Sequence, residues 1–244
     1  VTPQIALRPL TARSVVLSVL LGTHPPELPV RDLVRAATLF AISDATLRVA
    51  LTRMVAAGDL ERTGSTYRLC DRLVRRQRRQ DEAVEAAALD WDGSWEVVAV
   101  TATGRSPADR AALRTRLTAL RLGELREGVW LRPANLPPAW PADLADVARR
   151  FRAVPEADPG GLARDLWDLD GWSARAAALV RLFDTADRPA DRFTVAAAVV
   201  RHLLADPILP DALLPRSWPA GELRAAYHRY RAEFTALTHA ARRG

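Results

Sequence analysis

The chain has 244 residues, 49% of them apolar and 26% charged, enough for two or three domains that each bury a core. A single cysteine, Cys70, excludes a disulfide framework and CxxC metal sites, and no apolar run approaches the roughly 18–20 residues of a membrane helix. The net charge is +6, and because lysine is absent all 35 basic side chains are arginine. The pI of about 10.7 is inflated by the same bias, which also favours Ala, Gly and Pro. A modest positive balance still favours an anionic partner, of which nucleic acid is the commonest. The first residues, VTPQIALRPLTAR, lack the apolar core of a signal peptide, so a cytoplasmic protein is expected.

In chain order, ARSVVLSVLL (12–21) predicts a short buried helix ending at Gly22. THPPELP reads as a loop, because Pro25, Pro26 and Pro29 cannot sit inside a helix. Pro29 suits the first turn of the next helix, where Leu33, Ala36, Ala37 and Phe40 follow helical spacing. After a tight turn at Ala41-Ile42, Ser43 caps a third helix that runs to Ala57 and stops at Gly58. DLERTGSTYRL then carries a hairpin signal, with Leu60, Tyr67 and Leu69 flanking a Thr63-Gly64-Ser65 tip.

Residues 71–91 predict a longer helix. SWEVVAV predicts a strand from its Trp and Val content. A helix over 107–121, two short strands around Glu127-Gly128, a proline loop (Pro133, Pro137, Pro138, Pro141), a short helix over 143–150 and a strand at Phe151–Val154 complete the order βαββαβ. PEADPGG marks a boundary, and the remainder reads as helices over 161–184, 190–205 and 219–242. DPILPDALLPRSWP lies between the last two and is too rich in proline to be helix. The expected fold is α+β, mostly α. A winged helix-turn-helix (1–70) is followed by a linker or dimerisation helix (71–91), a ferredoxin-like βαββαβ domain (92–154) and a C-terminal helical domain (155–244).

The third helix carries the argument for function. At 100° per residue, Leu47, Ala50, Leu51 and Met54 share one stripe, while Ala45, Arg48, Val49, Thr52 and Arg53 lie opposite. That outer face reads as free of carboxylates, as a helix lying in a DNA groove must be. Arginine can take guanine O6 and N7 together, threonine can serve bases or phosphates, and Ala45 or Val49 can touch thymine methyls. Ser43 stands where a helix N-terminus meets phosphate. Arg62 and Arg68 flank the hairpin tip, where a wing reaches the backbone or minor groove. The bland alternative is a surface helix that is arginine-rich because the whole chain is.

ISDATLRVALTRMVAAGDLERTGSTYRL resembles the winged-helix segment of the PaaX family, the phenylacetate-catabolism repressors. WDGSWEVVAV, followed after a helix by GELREGVWLRP, is similar to that family's central domain. DPILPDALLPRSWP is similar to its C-terminal DP-x-LP-x-x-LLP-x-x-WP signature. The resemblance implies a homodimeric transcriptional repressor that binds a palindromic operator and is released by an aryl-CoA thioester, typically phenylacetyl-CoA, with no cofactor. It places Arg48, Thr52 and Arg53 at recognition-helix positions and Gly64 and Arg68 in the wing. The family's central domain is similar to ferredoxin-like nucleases that need an acidic residue at the end of the first strand. VVAVTATGR has none, so nuclease activity is not expected.

Among the other constellations, the four histidines (His24, His202, His228, His239) show no helical metal spacing, and no GxSxG, Walker or GxGxxG pattern is present. Arg75-Arg76-Gln77-Arg78-Arg79 reads as a solvated face balanced by Asp81, Glu82 and Glu85, or else as extra phosphate contact. Arg201 and His202 end an apolar helix, where the dipole alone can account for them. The functional reading is that they meet an effector whose aryl group is lined by Trp167, Trp172 or Trp218. Two alternatives stay open: a DNA-binding regulator with a different effector or none, and an enzyme acting on nucleic acid or a CoA ester.

Overall fold

The computed structural model describes residues 11–85, 88–137, 140–156 and 158–243, with side chains as far as residue 236. The first ten residues, Ala86, Ala87, Pro138 and the His239 side chain, on all of which sequence readings fall, lie outside the described residues. The elements in chain order are α1 (Ala12–Leu21), β1 (Glu27–Pro29), α2 (Val30–Thr38), α3 (Asp44–Ala56), β2 (Leu60–Thr63), β3 (Thr66–Leu69) and α4 (Asp71–Glu85). There follow β4 (Trp95–Val100), α5 (Pro107–Ala119), β5 (Gly123–Arg126), β6 (Val129–Pro133), β7 (Ala148–Ala153), α6 (Pro159–Leu166), α7 (Leu169–Thr185), α8 (Pro189–Leu203) and α9 (Ala220–Arg243). The fold is α+β and mostly α, as the sequence implies.

Four expectations need correction. The proline loop THPPELP contains a strand: β1 pairs antiparallel with β3, Leu28 opposite Tyr67, and proline is tolerated on such an edge. The helix expected over 71–91 is followed only to Glu85, and by Leu89, whose N–H donates to the Asn135 carbonyl, the chain has left it. The helix expected over 143–150 is a single 3-10 turn at Ala142–Leu144. Residues 148–150 instead join β7, because pairing with β4 satisfies their backbone groups at the sheet edge. The helix expected over 161–184 is two helices, because Asp168 accepts the Gly171 N–H at 2.9 Å and so caps a new start at Leu169. DPILPDALLPRSWP is non-helical apart from a 3-10 turn at Asp211–Leu213.

The chain divides into two compact units. The first combines Val1–Glu85 with Ala174–Leu204 and Pro219–Gly244, and the second combines Ala86–Ser173 with Ala205–Trp218. In the first, α1 begins with a reciprocal cap: the Thr11 hydroxyl accepts the Ser14 N–H and the Ser14 hydroxyl accepts the Thr11 N–H, both at 3.1 Å. Val15, Val16, Leu20, Leu33, Leu47 and Leu51 bury the faces of α1, α2 and α3 against one another. Strands β1, β3 and β2 form a three-stranded antiparallel sheet in that order. Buried Asp59 accepts from Arg13 and Arg72 at 2.5 Å each, tying the start of α1 to the start of α4. Helices α8 and α9 pack on α2 and α4, with the Phe40 and Phe193 rings 4.7 Å apart.

The second unit is built on a four-stranded antiparallel sheet, order β5-β6-β4-β7, which is the ferredoxin-like arrangement. One face buries Val98, Leu117, Leu122, Trp130 and Leu144 beneath α5. The other buries Trp95 and Leu131 against Ala163 of α6 and Leu209 and Leu213 of the proline-rich segment. Asn135 Nδ2 and Arg121 Nη1 donate to the Ile208 and Asp206 carbonyls at 2.9 and 2.7 Å, which seats that segment. Asp92 is exposed, yet its carboxyl is held down to about 2 by the hydrogen bonds from the Ser94 hydroxyl and N–H, with Arg152 adding to them. A depressed carboxylate stabilises the fold above its unfolded value of 3.8, and that contribution is lost as pH falls from 3.8 toward about 2. An NMR titration of the Asp92 carboxyl carbon is expected to show this. A midpoint near 3.8 would mean that the Ser94 turn does not persist in solution.

Candidate nucleic-acid interface

Helix α3 is set by its cap and its buried stripe. Ser43 Oγ accepts the Thr46 N–H at 3.2 Å and lies 2.9 Å from Thr46 Oγ1. Leu47, Leu51 and Met54 are fully buried and Ala50 is half-buried. The opposite face is then fixed outward: Ala45, Arg48, Val49, Thr52 and Arg53 are all exposed, as are Ser43 and Thr46. Val49 is 51% exposed, so an apolar side chain stands uncovered in the middle of a cationic face. Arg53 has no ion-pair partner among the described residues.

This face differs from the sequence reading in one respect. The helix wheel predicts it free of carboxylates, but Asp44 in the first helical turn is exposed and its Oδ1 lies 2.9 Å from Arg48 Nε. The pair is an i, i+4 contact between two solvated groups, worth about 0–1 kcal/mol and readily exchanged for a phosphate or base. Sequence reasoning also passed over Thr46, whose hydroxyl and N–H sit beside Ser43 at the helix start.

The wing is held by its own side chains. Gly64 has φ +58°, which the two-residue turn between β2 and β3 requires and a residue with a Cβ resists. Arg62 Nε donates to the Gly64 carbonyl at 2.9 Å, and its guanidinium lies 5.8 Å from the Tyr67 ring centre. Arg68 Nη2 donates to Glu61 Oε2 at 2.6 Å, and that contact raises the Arg68 pKa further above its ordinary value. Both wing arginines are exposed cations held in place by neighbours. The Arg75–Arg79 run divides. Its four arginines are exposed, while Gln77 is buried and donates through Nε2 to the Leu20, Leu21 and Thr23 carbonyls at 3.3, 2.9 and 2.8 Å.

Of the five residues suggested for an effector, two fall in the first unit and three in the second. Arg201 lines a cavity in the first unit, and His202 is buried one residue further along α8. Trp167 and Trp218 belong to the second unit, packed in the cluster around Trp95, where the Trp172 and Trp218 rings stack with centres 4.4 Å apart. Among the described residues no cluster of three or more His, Cys, Asp or Glu side chains gathers, and no helix is long and apolar enough to cross a membrane.

Comparisons with known proteins cover most of the chain. Residues 11–73 match the family described as PaaX-like protein, residues 88–151 the PaaX protein central Cas2-like domain, and residues 166–243 the PaaX-like protein C-terminal domain. The solved structure of the uncharacterized protein Rv0674 from Mycobacterium tuberculosis is similar at a TM-score of 0.84 and 50% sequence identity, over 95% of this chain and 99% of that one. No curated protein matches the chain. With all three family domains present in order over α3, its wing, the antiparallel sheet and the C-terminal helices, the chain belongs to the PaaX-like family.

Proposed function

We propose that this chain is a cytoplasmic transcriptional repressor that binds a palindromic operator as a homodimer and is released by an aryl-CoA thioester such as phenylacetyl-CoA. The observation that carries the DNA reading is the outer face of α3, where Arg48, Val49, Thr52 and Arg53 stand exposed over a buried Leu47-Leu51-Met54 stripe. A dimer presents two such helices to successive major grooves, about 34 Å apart or a multiple of that. Arg62 and Arg68 of the wing and the N-terminal end of α3 supply phosphate contacts, which make affinity strongly salt-dependent.

The test is binding to the chain's own upstream promoter DNA at several salt concentrations, with and without phenylacetyl-CoA. Tight, salt-dependent binding abolished by the thioester is expected. Binding that ignores the thioester keeps the DNA role and removes this effector. Arg48→Ala and Arg53→Ala are each expected to weaken specific binding by about 1–3 kcal/mol if the guanidinium reads a base. Unchanged affinity in both would remove α3 from the reading role.

We read the chain as a regulator rather than an enzyme. The carboxylate on β4 is Glu96, at the start of the strand, and it is engaged by Arg132 at 2.6 Å and Arg150 at 3.7 Å. Turnover of a labelled oligonucleotide or of phenylacetyl-CoA would bring the enzyme reading forward.

A further inference from the structure

We propose that the effector's aromatic acyl end is held in a cavity inside the first unit, between the helices of the winged helix and α8–α9, with its anionic end on Arg76 and Arg231. This rests on the ligand-released repressor reading and adds to it the site and its chemistry. The cavity measures about 460 Å³, within the ~300–1,000 Å³ usual for small-molecule sites. Its walls come from the C-terminal end of α1, from α2 and α4, and from α8 and α9.

Two halves of the lining differ in chemistry. The deep half is aromatic. Phe193, Tyr230 and Phe234 form a continuous set, with Tyr230–Phe234 and Phe193–Phe234 ring centres 5.8 and 5.9 Å apart, and Tyr227 beside Tyr230 at 6.3 Å. Burial pushes the Tyr227 and Tyr230 hydroxyls up, so both stay protonated and able to donate. Flat rings offset at these separations accept another ring by the same offset or edge contacts.

The outer half is cationic. Arg35, Arg76, Arg201 and Arg231 line it against two carboxylates, Asp32 and Asp81. Asp81 already lies 2.9 Å from His24 Nε2, and Asp32 lies 3.9 Å from both Arg31 and Arg35. The Arg76 and Arg231 guanidinium groups have no ion-pair partner among the described residues, and Arg76 is exposed while Arg231 is half-buried. Arginine forks toward solvent beside an aromatic wall fit an aryl group joined to a carboxylate or phosphate.

The position also supplies a lever. Asp32, Arg35, Ala36 and Leu39 belong to α2 or its end, the helix that a short turn joins to α3. An occupant that separates α2 from α8 tilts the support on which α3 rests. Release then follows if the ligand binds that altered arrangement more tightly than the DNA-competent one.

The test is calorimetric titration of the full chain, free of DNA, with phenylacetyl-CoA, phenylacetate and CoA. Phenylacetyl-CoA or phenylacetate is expected to bind, and CoA alone at least about tenfold more weakly than phenylacetyl-CoA. Ala197→Phe, which fills the cavity from α8, is expected to weaken aryl binding about tenfold or more. Arg231→Ala, a change at the rim that leaves the core intact, is expected to weaken it by a similar factor. Circular dichroism checks that both variants fold. The cavity assignment is overturned if neither aryl probe binds, if CoA binds as well as phenylacetyl-CoA, or if a folded Ala197→Phe or Arg231→Ala protein binds like the parent. Operator binding by the same proteins separates the two ideas. Loss of aryl binding in the variants without any operator binding by the parent would support the cavity and sink the repressor.

Discussion

A Trp95→Ala protein is expected to be less stable than the parent by about 3–5 kcal/mol. Trp95 opens β4, has none of its surface exposed, and stacks on Trp167 with ring centres 6.4 Å apart. It shares a cluster with Leu131 of β6, Ala163 of α6, and Leu209 and Leu213 of the proline-rich segment. Its indole N–H has no hydrogen-bond partner among the described residues, so removing it costs packing alone. Urea unfolding followed by circular dichroism checks this through the shift in midpoint at unchanged slope. A loss below about 1 kcal/mol would show that these three elements do not form one core around the indole. The prediction also gives the DPILPDALLPRSWP signature a physical role, since Leu209 and Leu213 cover the apolar face of the ferredoxin-like sheet.

The second large effect is expected at Gln77. Its side-chain amide is buried and its two hydrogens serve the Leu20, Leu21 and Thr23 carbonyls, which are at or just past the C-terminal end of α1. Helix C-termini leave carbonyls without intrahelical donors. Gln77→Leu keeps most of the volume and removes the donor, so the Leu21 and Thr23 carbonyls lose it while Leu20 keeps the Thr23 N–H, at a cost of about 1–3 kcal/mol. Hydrogen exchange should show the loss as faster exchange in α1 and α4. Unaltered protection with unaltered stability would mean that water replaces the amide. Arg76, Gln80 and Asp81 on α4 and Leu21, Gly22 and Thr23 at the end of α1 line the same cavity, so this residue also holds two of its walls together.

Local signals in the chain were strong where one residue type answers one physical need. Ser43 caps α3, Gly64 supplies the positive φ of the wing, Leu47, Leu51 and Met54 recur at helical spacing, and Pro107 lies in the first turn of α5. Signals failed where pairing overrode propensity. Arg149 and Arg150 suit a helix but lie in β7, because β4 offered an edge to complete. Glu27-Leu28-Pro29 became a strand because β3 was alongside. Asp168 broke an otherwise continuous helix by capping, a signal carried by DLDG that helical periodicity masks. A helix wheel shows which side of α3 is outward, but which helices share a cavity is a matter of long-range packing. Tyr227, Tyr230 and Phe234 do form an aromatic stripe on α9 at helical spacing, a signal that pointed inward without saying toward what.

The sequence by itself therefore determined the helices of the winged helix, the outward cationic face of α3, the wing and the family, because each depends on residues close together in the chain. Only the tertiary structure decided that residues 174–204 and 219–236 share a core with the winged helix, and that the segment between them, 205–218, covers the ferredoxin-like sheet. That partition rests on contacts such as Phe40 with Phe193, Arg224 with the Ala83 carbonyl and Asn135 with the Ile208 carbonyl. Apolar faces are interchangeable in sequence, and only shape and hydrogen-bond complementarity across long separations select which of them meet.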